Sequence, residues 1–462
     1  MSLLDQIYHR SPIAVQSAMV SVYGAAWYLR RHGRHFRGKI RELSANEHFS
    51  FAQFDHLQLA ALNRLLDHAR HSPYYGPLLT TSGINAPLES LDDLRRLPTL
   101  SKQTLRTQPR RLLTARSPWG TKVMRSSGTT GTPTDLYYSR RFHQEGQAYY
   151  QARLRDWAGI GQRDKRAMFG VRKVCNFDQA EPPFWRPSPM ENLVYYSIYH
   201  LAPVHLRHYV EHLARWRPRL IVGYPSALNL LARYILETKQ RLSIPVAITT
   251  SETVTSEIRD AIEAAFQCQL YDQYGAVEGT HFVSQCEHGR YHVSPERGII
   301  EILDGDAPCP PGNEGRVVVT GLENTLQPLI RYEIGDVAYW AEEQHCPCGR
   351  QMPILGGIQG RYEDYCTMAD GRRTLRFDTV FKGLETITEA QVVQEAADRF
   401  TINVVPTPEF SATDRRKLLD NFRLHAGDVA VEVVTLDRIP RTTSGKFRAV
   451  INRTLTSPLS AV

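Results

Sequence analysis

A run of short β-branched segments broken by one amphipathic helix constrains this chain most. Leu220-Ile221-Val222-Gly223 and Ala247-Ile248-Thr249-Thr250 read as strands, because β-branched residues pack well on a pleated, half-buried surface. Residues 256–266 carry apolar positions at helical spacing. Gln269-Leu270-Tyr271-Asp272 is a further strand that runs into Gln273-Tyr274-Gly275. Strand, helix, strand at this spacing predicts an α/β fold with a parallel sheet. Ligands of such sheets sit at the carboxyl ends of the strands, where the Ser251-Glu252 and Tyr274-Gly275 turns fall.

The rest of the chain is organised around that unit. The first ~115 residues read as helical, with apolar periodicity over residues 57–69. Arg316-Val317-Val318-Val319-Thr320 is a strand bounded by Pro310-Pro311-Gly312 and Gly321. A boundary near Gly360-Arg361 divides a large domain, residues 1–360, from residues 361–462, enough for a small α+β domain.

Ser126-Ser127-Gly128-Thr129-Thr130-Gly131-Thr132-Pro133 is a dense run of hydroxyls and small residues. Such a segment can wrap N–H groups and hydroxyls around phosphate oxygens, since glycine permits close approach and positive φ. It is not a P-loop, because Thr132 follows Gly131 where that motif requires lysine.

The net charge of +8 over 462 residues suits anionic small molecules or a membrane surface. No Lys/Arg-rich block with interleaved aromatics stands out, so nucleic acid is not an expected partner. Residues 13–29 are apolar-leaning but interrupted by Gln16, Ser17, Ser21 and Tyr23, which argues against a transmembrane helix. No small-residue cleavage site follows, so a signal peptide is not expected. The basic run from Arg30 to Arg37 admits peripheral contact with a membrane, against a reading as a packed helix with a solvated basic end.

Seven cysteines are an odd count with one tight cluster, Cys346-Pro347-Cys348, which favours metal over disulfides and hence a reducing cytoplasm. Cys286 lies about sixty residues earlier and is followed by His288 and His292. Two thiolates on a turn, a third thiolate and one imidazole make a closed Cys3His zinc site with no open position, which is structural in type. Cys175, Cys268, Cys309 and Cys366 have no comparable context.

Five motifs in order resemble the adenylate-forming superfamily of acyl-CoA synthetases and adenylation domains. The glycine-rich run matches its triphosphate loop, and Tyr274-Gly275-Ala276-Val277-Glu278 its Tyr-Gly-x-x-Glu motif. Tyr332-Glu333-Ile334-Gly335-Asp336 matches the ribose-binding motif and Gly360-Arg361-Tyr362-Glu363-Asp364 the hinge. Pro440-Arg441-Thr442-Thr443-Ser444-Gly445-Lys446 matches the catalytic-lysine loop. Within the superfamily the chain is most similar to the phenylacetate–CoA ligase-like group and its CapK-type members. That likeness rests on residues 66–75, Pro183-Phe184-Trp185-Arg186, Val222-Gly223-Tyr224-Pro225-Ser226, Thr250-Ser251-Glu252-Thr253 and Pro328-Leu329-Ile330-Arg331-Tyr332.

The resemblance implies a large α/β domain with a small mobile α+β lid, and an enzyme that makes an acyl-adenylate from a carboxylic acid and ATP. It assigns Ser126, Ser127, Gly128, Thr129, Thr130 and Gly131 to the β- and γ-phosphates, Glu278 to Mg2+, and Asp336 with Arg361 to the ribose or a phosphate. Tyr274 with Gly275 would lie against adenine, Ser251 and Glu252 along its edge, and Lys446 would bridge the carboxylate and α-phosphate; Glu363 is the hinge residue. It favours Cys286, His292, Cys346 and Cys348 as the zinc ligands, with His288 the alternative imidazole. Tyr224, Phe184 and Trp185 line an acyl pocket or belong to the core.

The stretch after the hinge, Asp370-Gly371-Arg372-Arg373-Thr374-Leu375-Arg376-Phe377, lacks the Pro-x-x-Ile-Glu that many CoA ligases carry there. The resemblance makes coenzyme A the first expected acceptor, and this departure from it brings in an amine or a sugar hydroxyl as the alternative. A non-catalytic nucleotide- and zinc-binding scaffold is the remote alternative. A homodimer is compatible with the sequence.

Overall fold

The computed structural model describes residues 3–117, 119–125, 134–170, 172–176, 179–361, 366–367, 373–374, 377–381, 384, 386–427, 429–441 and 447–454. The chain divides into two compact units. One comprises Met1–Ile334 with Tyr339–Gly357, and the other Gly335–Ala338 with Ile358–Val462.

The first unit opens with helices Leu3–Arg10, Ile13–Arg31, Arg34–Ala45 and Phe51–Ala69. The last of these starts six residues earlier than its apolar periodicity suggests. Ser50 and Gln53 form a capping box: the Ser50 hydroxyl accepts from the Gln53 N–H, and the Gln53 side chain accepts from the Ser50 N–H at 2.8 Å. Phe54, Gln58, Ala61, Leu62, Leu65, Leu66 and Ala69 form its buried stripe. No helix among the described residues is long and apolar enough to cross a membrane.

Five parallel strands follow, in spatial order Leu193–Ser197, Arg166–Gly170, Leu220–Gly223, Val246–Thr250 and Gln269–Gly275. Their registers pair Ala167 with Ile221, Ile221 with Ala247, and Ile248 with Tyr271. These runs are buried on both faces, which is why they read as continuous apolar segments. Helices Pro203–Trp216, Pro225–Glu237 and Ser256–Phe266 cross between strands, and Tyr209, Leu213, Leu228, Leu231, Ile262 and Phe266 share the core with Phe169, Ile221 and Ala247.

Strand direction reverses after Gln269–Gly275. Phe282–Gln285 runs antiparallel to it, with Gln273 opposite Ser284 and Tyr274 opposite Val283. Tyr291–Val293 then pairs with Phe282–Gln285 on one side and with Ile354–Leu355 on the other.

The second unit has its own core. Strands Ile387–Ala396 and Arg399–Pro406 pair antiparallel, Ala430–Thr435 and Val450–Asn452 add in parallel, and helix Ala412–Ala426 packs Leu418 and Phe422 on Phe400 and Ile402. Ser411 and Asp414 cap that helix reciprocally.

Candidate active site and metal centre

The carboxyl ends of the parallel strands gather Tyr224, Ser251, Glu252, Tyr274 and Gly275. Ser251 has φ 72°, a left-handed conformation that costs a non-glycine residue about 1–2 kcal/mol and so turns the chain sharply there. The turn brings the Glu252 carboxylate onto the start of helix Pro225–Glu237, where it accepts from the Ser226 N–H at 3.0 Å. A negative charge is favourable at that end of the helix dipole. Tyr224 is buried, and burial raises its phenol above the ordinary range. Phe184 is a core residue, and Trp185 is half-buried against the same core. Phe184 is fully buried and stacks on His200 at 5.0 Å, and Trp185 stacks on His212 at 4.1 Å.

Residues 276–279 form a tight turn, closed by the Gly279 N–H to the Ala276 carbonyl at 2.9 Å. Gly279 has φ 66°, and a Cβ there would lie 2.7 Å from Arg297 Nη2, 2.8 Å from the Tyr138 hydroxyl and 2.9 Å from Phe142. Only glycine fits. The Tyr138 hydroxyl donates to the Val277 carbonyl, and Arg297 is ion-paired with Glu323. Held this way, Glu278 is 8% exposed and accepts from the Tyr332 hydroxyl at 3.2 Å. It is a buried turn residue, where a surface carboxylate at a helix start would be solvated.

Tyr332 opens strand Tyr332–Trp340, in which Gly335 has φ 85°. That glycine shifts the in–out alternation, so Asp336 is half-buried while Val337 and Ala338 are buried. The ring of Tyr274 packs 4.6 Å from that of His281. His281 Nδ1 lies 3.1 Å from Thr280 Oγ1, and burial pushes its pKa down to about 3, so the ring is neutral. Residues 126–131, Glu363 and Lys446 lie outside the described residues. Arg361 is described as the backbone end of strand Ile354–Arg361. The strands that flank the glycine-rich run, Lys122–Arg125 and Asp135–Tyr138, pair antiparallel.

Tyr138, Arg297 and the phenol of Tyr332 were not singled out from sequence. Tyr332 was visible as the first residue of a motif whose chemistry points to Asp336, and Tyr138 and Arg297 stand in no motif at all.

The second constellation is metal-like. One ligand atom each from Cys286, His292, Cys346 and Cys348 lies within 4.8 Å of the others. Cys286 Sγ and Cys346 Sγ are 3.6 Å apart, and Cys348 Sγ is 3.4 Å from His292 Nε2. Four ligands around a tetrahedral zinc give S···S near ~3.8 Å and S···N near ~3.5 Å, so the spacing fits. Two matching turns deliver the thiols: the Gly289 N–H bonds the Cys286 carbonyl at 2.9 Å, and the Gly349 N–H bonds that of Cys346 at 3.0 Å. Both glycines have positive φ, 71° and 76°. His288 is exposed on the first turn and contributes only its backbone N–H to Cys286 Sγ, at 3.4 Å. His292 is fully buried on a strand, and burial pushes it down to about 4, which keeps it in the neutral, ligating form. Trp157 packs edge-on against it at 5.9 Å, beneath Arg350, which pairs with Glu47 and Glu287. The chemistry and spacing of these four side chains suit structural zinc.

Residues 372–453 match the family described as the CapK C-terminal domain. Over 459 residues the chain is 26% identical to protein CapK of Staphylococcus aureus, covering 97% of this chain and 99% of that one. Over 439 residues it is 25% identical to phenylacetate-coenzyme A ligase of Thermus thermophilus, covering 86% and 96%. The chain is similar along nearly its whole length to CapK and to phenylacetate–CoA ligases. The chain also superimposes on 2-hydroxyisobutyryl-CoA ligase in its postadenylation state with a TM-score of 0.71 and 25% identity, over 88% of this chain and 91% of that one. Its fold is that of the adenylate-forming CoA ligases, and it is an enzyme of the ligase class.

Proposed function

We propose that this chain activates a carboxylic acid with ATP, releasing pyrophosphate, and transfers the acyl group of the resulting adenylate to coenzyme A. The observation that best supports this is the Glu278 carboxylate, buried at the carboxyl end of the parallel strands and fixed by the Tyr332 phenol. A buried carboxylate with one oxygen tied down is suited to a hard divalent cation on nucleotide phosphates, and Mg2+ bound there would neutralise charge on the leaving group. Two similar proteins, a phenylacetate-coenzyme A ligase and a 2-hydroxyisobutyryl-CoA ligase, support a thioester product.

In this reading Tyr274 lies along the adenine with Gly275 giving close approach, while Ser251 and Glu252 border it. Asp336 accepts from the ribose hydroxyls, and Arg361 donates to the sugar or a phosphate. Ser126, Ser127, Gly128, Thr129, Thr130 and Gly131 hold the β- and γ-phosphates. Lys446 offsets the charge that builds between the attacking carboxylate and the α-phosphate. The part of the chain after Gly360 turns about Glu363 between the two half-reactions. Zinc on Cys286, His292, Cys346 and Cys348 is structural, since all four positions of a tetrahedron are filled by protein.

The absence of Pro-x-x-Ile-Glu after the hinge favours a second reading, in which an amine or sugar hydroxyl takes the acyl group. Acid-dependent ATP–pyrophosphate exchange over a panel of carboxylic acids tests the first half-reaction. AMP release on adding coenzyme A, against adding amines or sugars, separates the acceptors. Lys446→Ala is expected to abolish exchange while ATP binding stays within about threefold, as for a group that acts in the transition state. Wild-type exchange in that variant would refute its assignment.

A further inference from the structure

The N-terminal helix Ile13–Arg31 carries no charged residue before Arg30, yet its last turn meets a collection of cations. Trp27 is buried on its inner face, with Lys122 Nζ 3.8 Å and the Arg31 guanidinium 4.6 Å from its ring centroid. Arg172 stands two residues beyond the carboxyl end of parallel strand Arg166–Gly170. Its guanidinium lies 4.4 Å from the ring of Tyr195 and 5.3 Å from that of Tyr23. Arg30 donates to the Gly120 carbonyl at 3.0 Å.

These cations stand close to the catalytic turn. His143 packs edge-on to Trp27 at 5.1 Å and lies 6.1 Å from Tyr138, whose hydroxyl bonds the Val277 carbonyl beside Glu278. A line of ring contacts thus runs from Arg31 through Trp27, His143 and Tyr138 to the turn that carries Glu278, although in sequence Arg30 and Arg31 open an ordinary basic run.

The charge is only partly compensated. Among the described residues Arg30, Arg31, Lys122 and Arg172 make no ion pair, and Nε of Arg30 and of Arg31 is buried without a hydrogen-bond partner. The nearby carboxylate, Glu191, attracts Arg31 but pairs directly with none of the four, and it is held by the hydroxyls of Ser188 at 2.8 Å and Tyr195 at 2.7 Å. Burial and mutual repulsion lower the pKa of Arg31 and Lys122, and they push His143 down to about 3. Half-buried cations that outnumber their counter-charge are costly, and an anion bound among them lowers that cost. The aromatic walls hold the cations in place from the other side.

We propose that Lys122, Arg31 and Arg172 bind an anionic group, a phosphate or a second carboxylate, carried by the acid or by the acyl acceptor. This rests on the acid-activating function proposed above. The nucleotide triphosphate is a different ligand. Strand Lys122–Arg125 is extended at about 3.3 Å per residue, which sets Lys122 back from the glycine-rich run that follows the strand's other end.

The test uses the full chain, wild type and the variants Arg172→Gln and Lys122→Gln, with Arg172→Lys as the charge-retaining control. Acids are compared in pairs that share a skeleton and differ by a second carboxylate or a phosphate ester, read by pyrophosphate exchange. Coenzyme A, dephospho-coenzyme A and pantetheine are compared as acceptors, read by AMP release. The wild type is expected to prefer the anionic member of one series by at least about tenfold in kcat/KM, as charge-assisted contacts allow. Each glutamine variant is expected to erase most of that preference while the neutral member and the KM for ATP are unchanged, and Arg172→Lys to retain part of it. Equal losses for charged and neutral members, or an effect confined to the KM for ATP, would overturn the proposal while leaving acid activation intact. Calorimetric titration with inorganic phosphate and with succinate reads the site without turnover. Saturable binding lost in the Lys122→Gln/Arg172→Gln double variant supports the site even if no acid in the panel is activated; no binding of either anion together with no charge preference refutes it.

Discussion

Replacing Gly279 by alanine probes how the Glu278 carboxylate is positioned. The backbone at φ 66° costs an alanine about 1–2 kcal/mol in the left-handed region. The added Cβ meets three groups closer than 3.0 Å, namely Arg297 Nη2, the Tyr138 hydroxyl and Phe142. None gives way easily. Arg297 is pinned by Glu323 and lies 4.5 Å from the Phe142 ring and 5.3 Å from the Tyr149 ring. Overpacking of this kind costs roughly 1–3 kcal/mol, so the total destabilisation is about 2–5 kcal/mol, a large share of a typical domain's stability. Urea unfolding measures that loss, and pyrophosphate exchange measures whether the folded fraction still positions Glu278; both should fall. Gly275→Ala is the contrast. Its Cβ would have the His281 carbonyl at 3.7 Å as nearest neighbour, an ordinary contact, so stability should change by no more than about 0.5 kcal/mol. If glycine is needed there for approach of the nucleotide, exchange falls without loss of fold. A Gly279→Ala protein as stable and as active as wild type would refute this account of the turn.

Purified protein is expected to hold about one zinc per chain, and Cys348→Ser to lose it and unfold several degrees lower, because metal binding contributes folding energy; zinc-replete protein without metal in elemental analysis would sink the site. Acid should destabilise the fold through His281, whose pKa falls from the ordinary 6.5 to about 3 on burial. The folded state keeps this ring neutral, so its contribution is complete above about pH 6.5 and is lost as pH drops toward the folded value, at about 1.4 kcal/mol per pH unit. His281→Gln should show a correspondingly shallower loss of stability in urea between about pH 6.5 and pH 4; an unchanged slope would refute it.

The α/β core was largely legible because its signals are local. Helix Ser256–Phe266 is bounded by Thr255, whose hydroxyl accepts from the Ile258 N–H, and by Gln267 in a left-handed C-cap. The parallel strands announced themselves as apolar runs because both faces are covered. The start of helix Phe51–Ala69 was not legible from periodicity, since a capping box between polar residues decides it. Choosing His292 over His288 required knowing which one sits on a buried strand and which on an exposed turn. Phe184 and Trp185 look alike as pocket walls or core residues until their ring partners are known. The inward turn of Arg30 and Arg31 is a tertiary choice that a run of like charges does not encode.

Strand Gln269–Gly275 takes a parallel partner on one side and an antiparallel partner on the other. A slip of one residue would have to be matched by two neighbours whose hydrogen-bond geometries differ, so neither can follow it. The segment that delivers Tyr274 and the following turn is thus clamped by incompatible ladders. Its amides should be among the slowest to exchange with deuterium, opening only with global unfolding of that unit. Drift of Tyr274 along the sheet is excluded for as long as both neighbours hold, and any adjustment there must come from the turns beyond it.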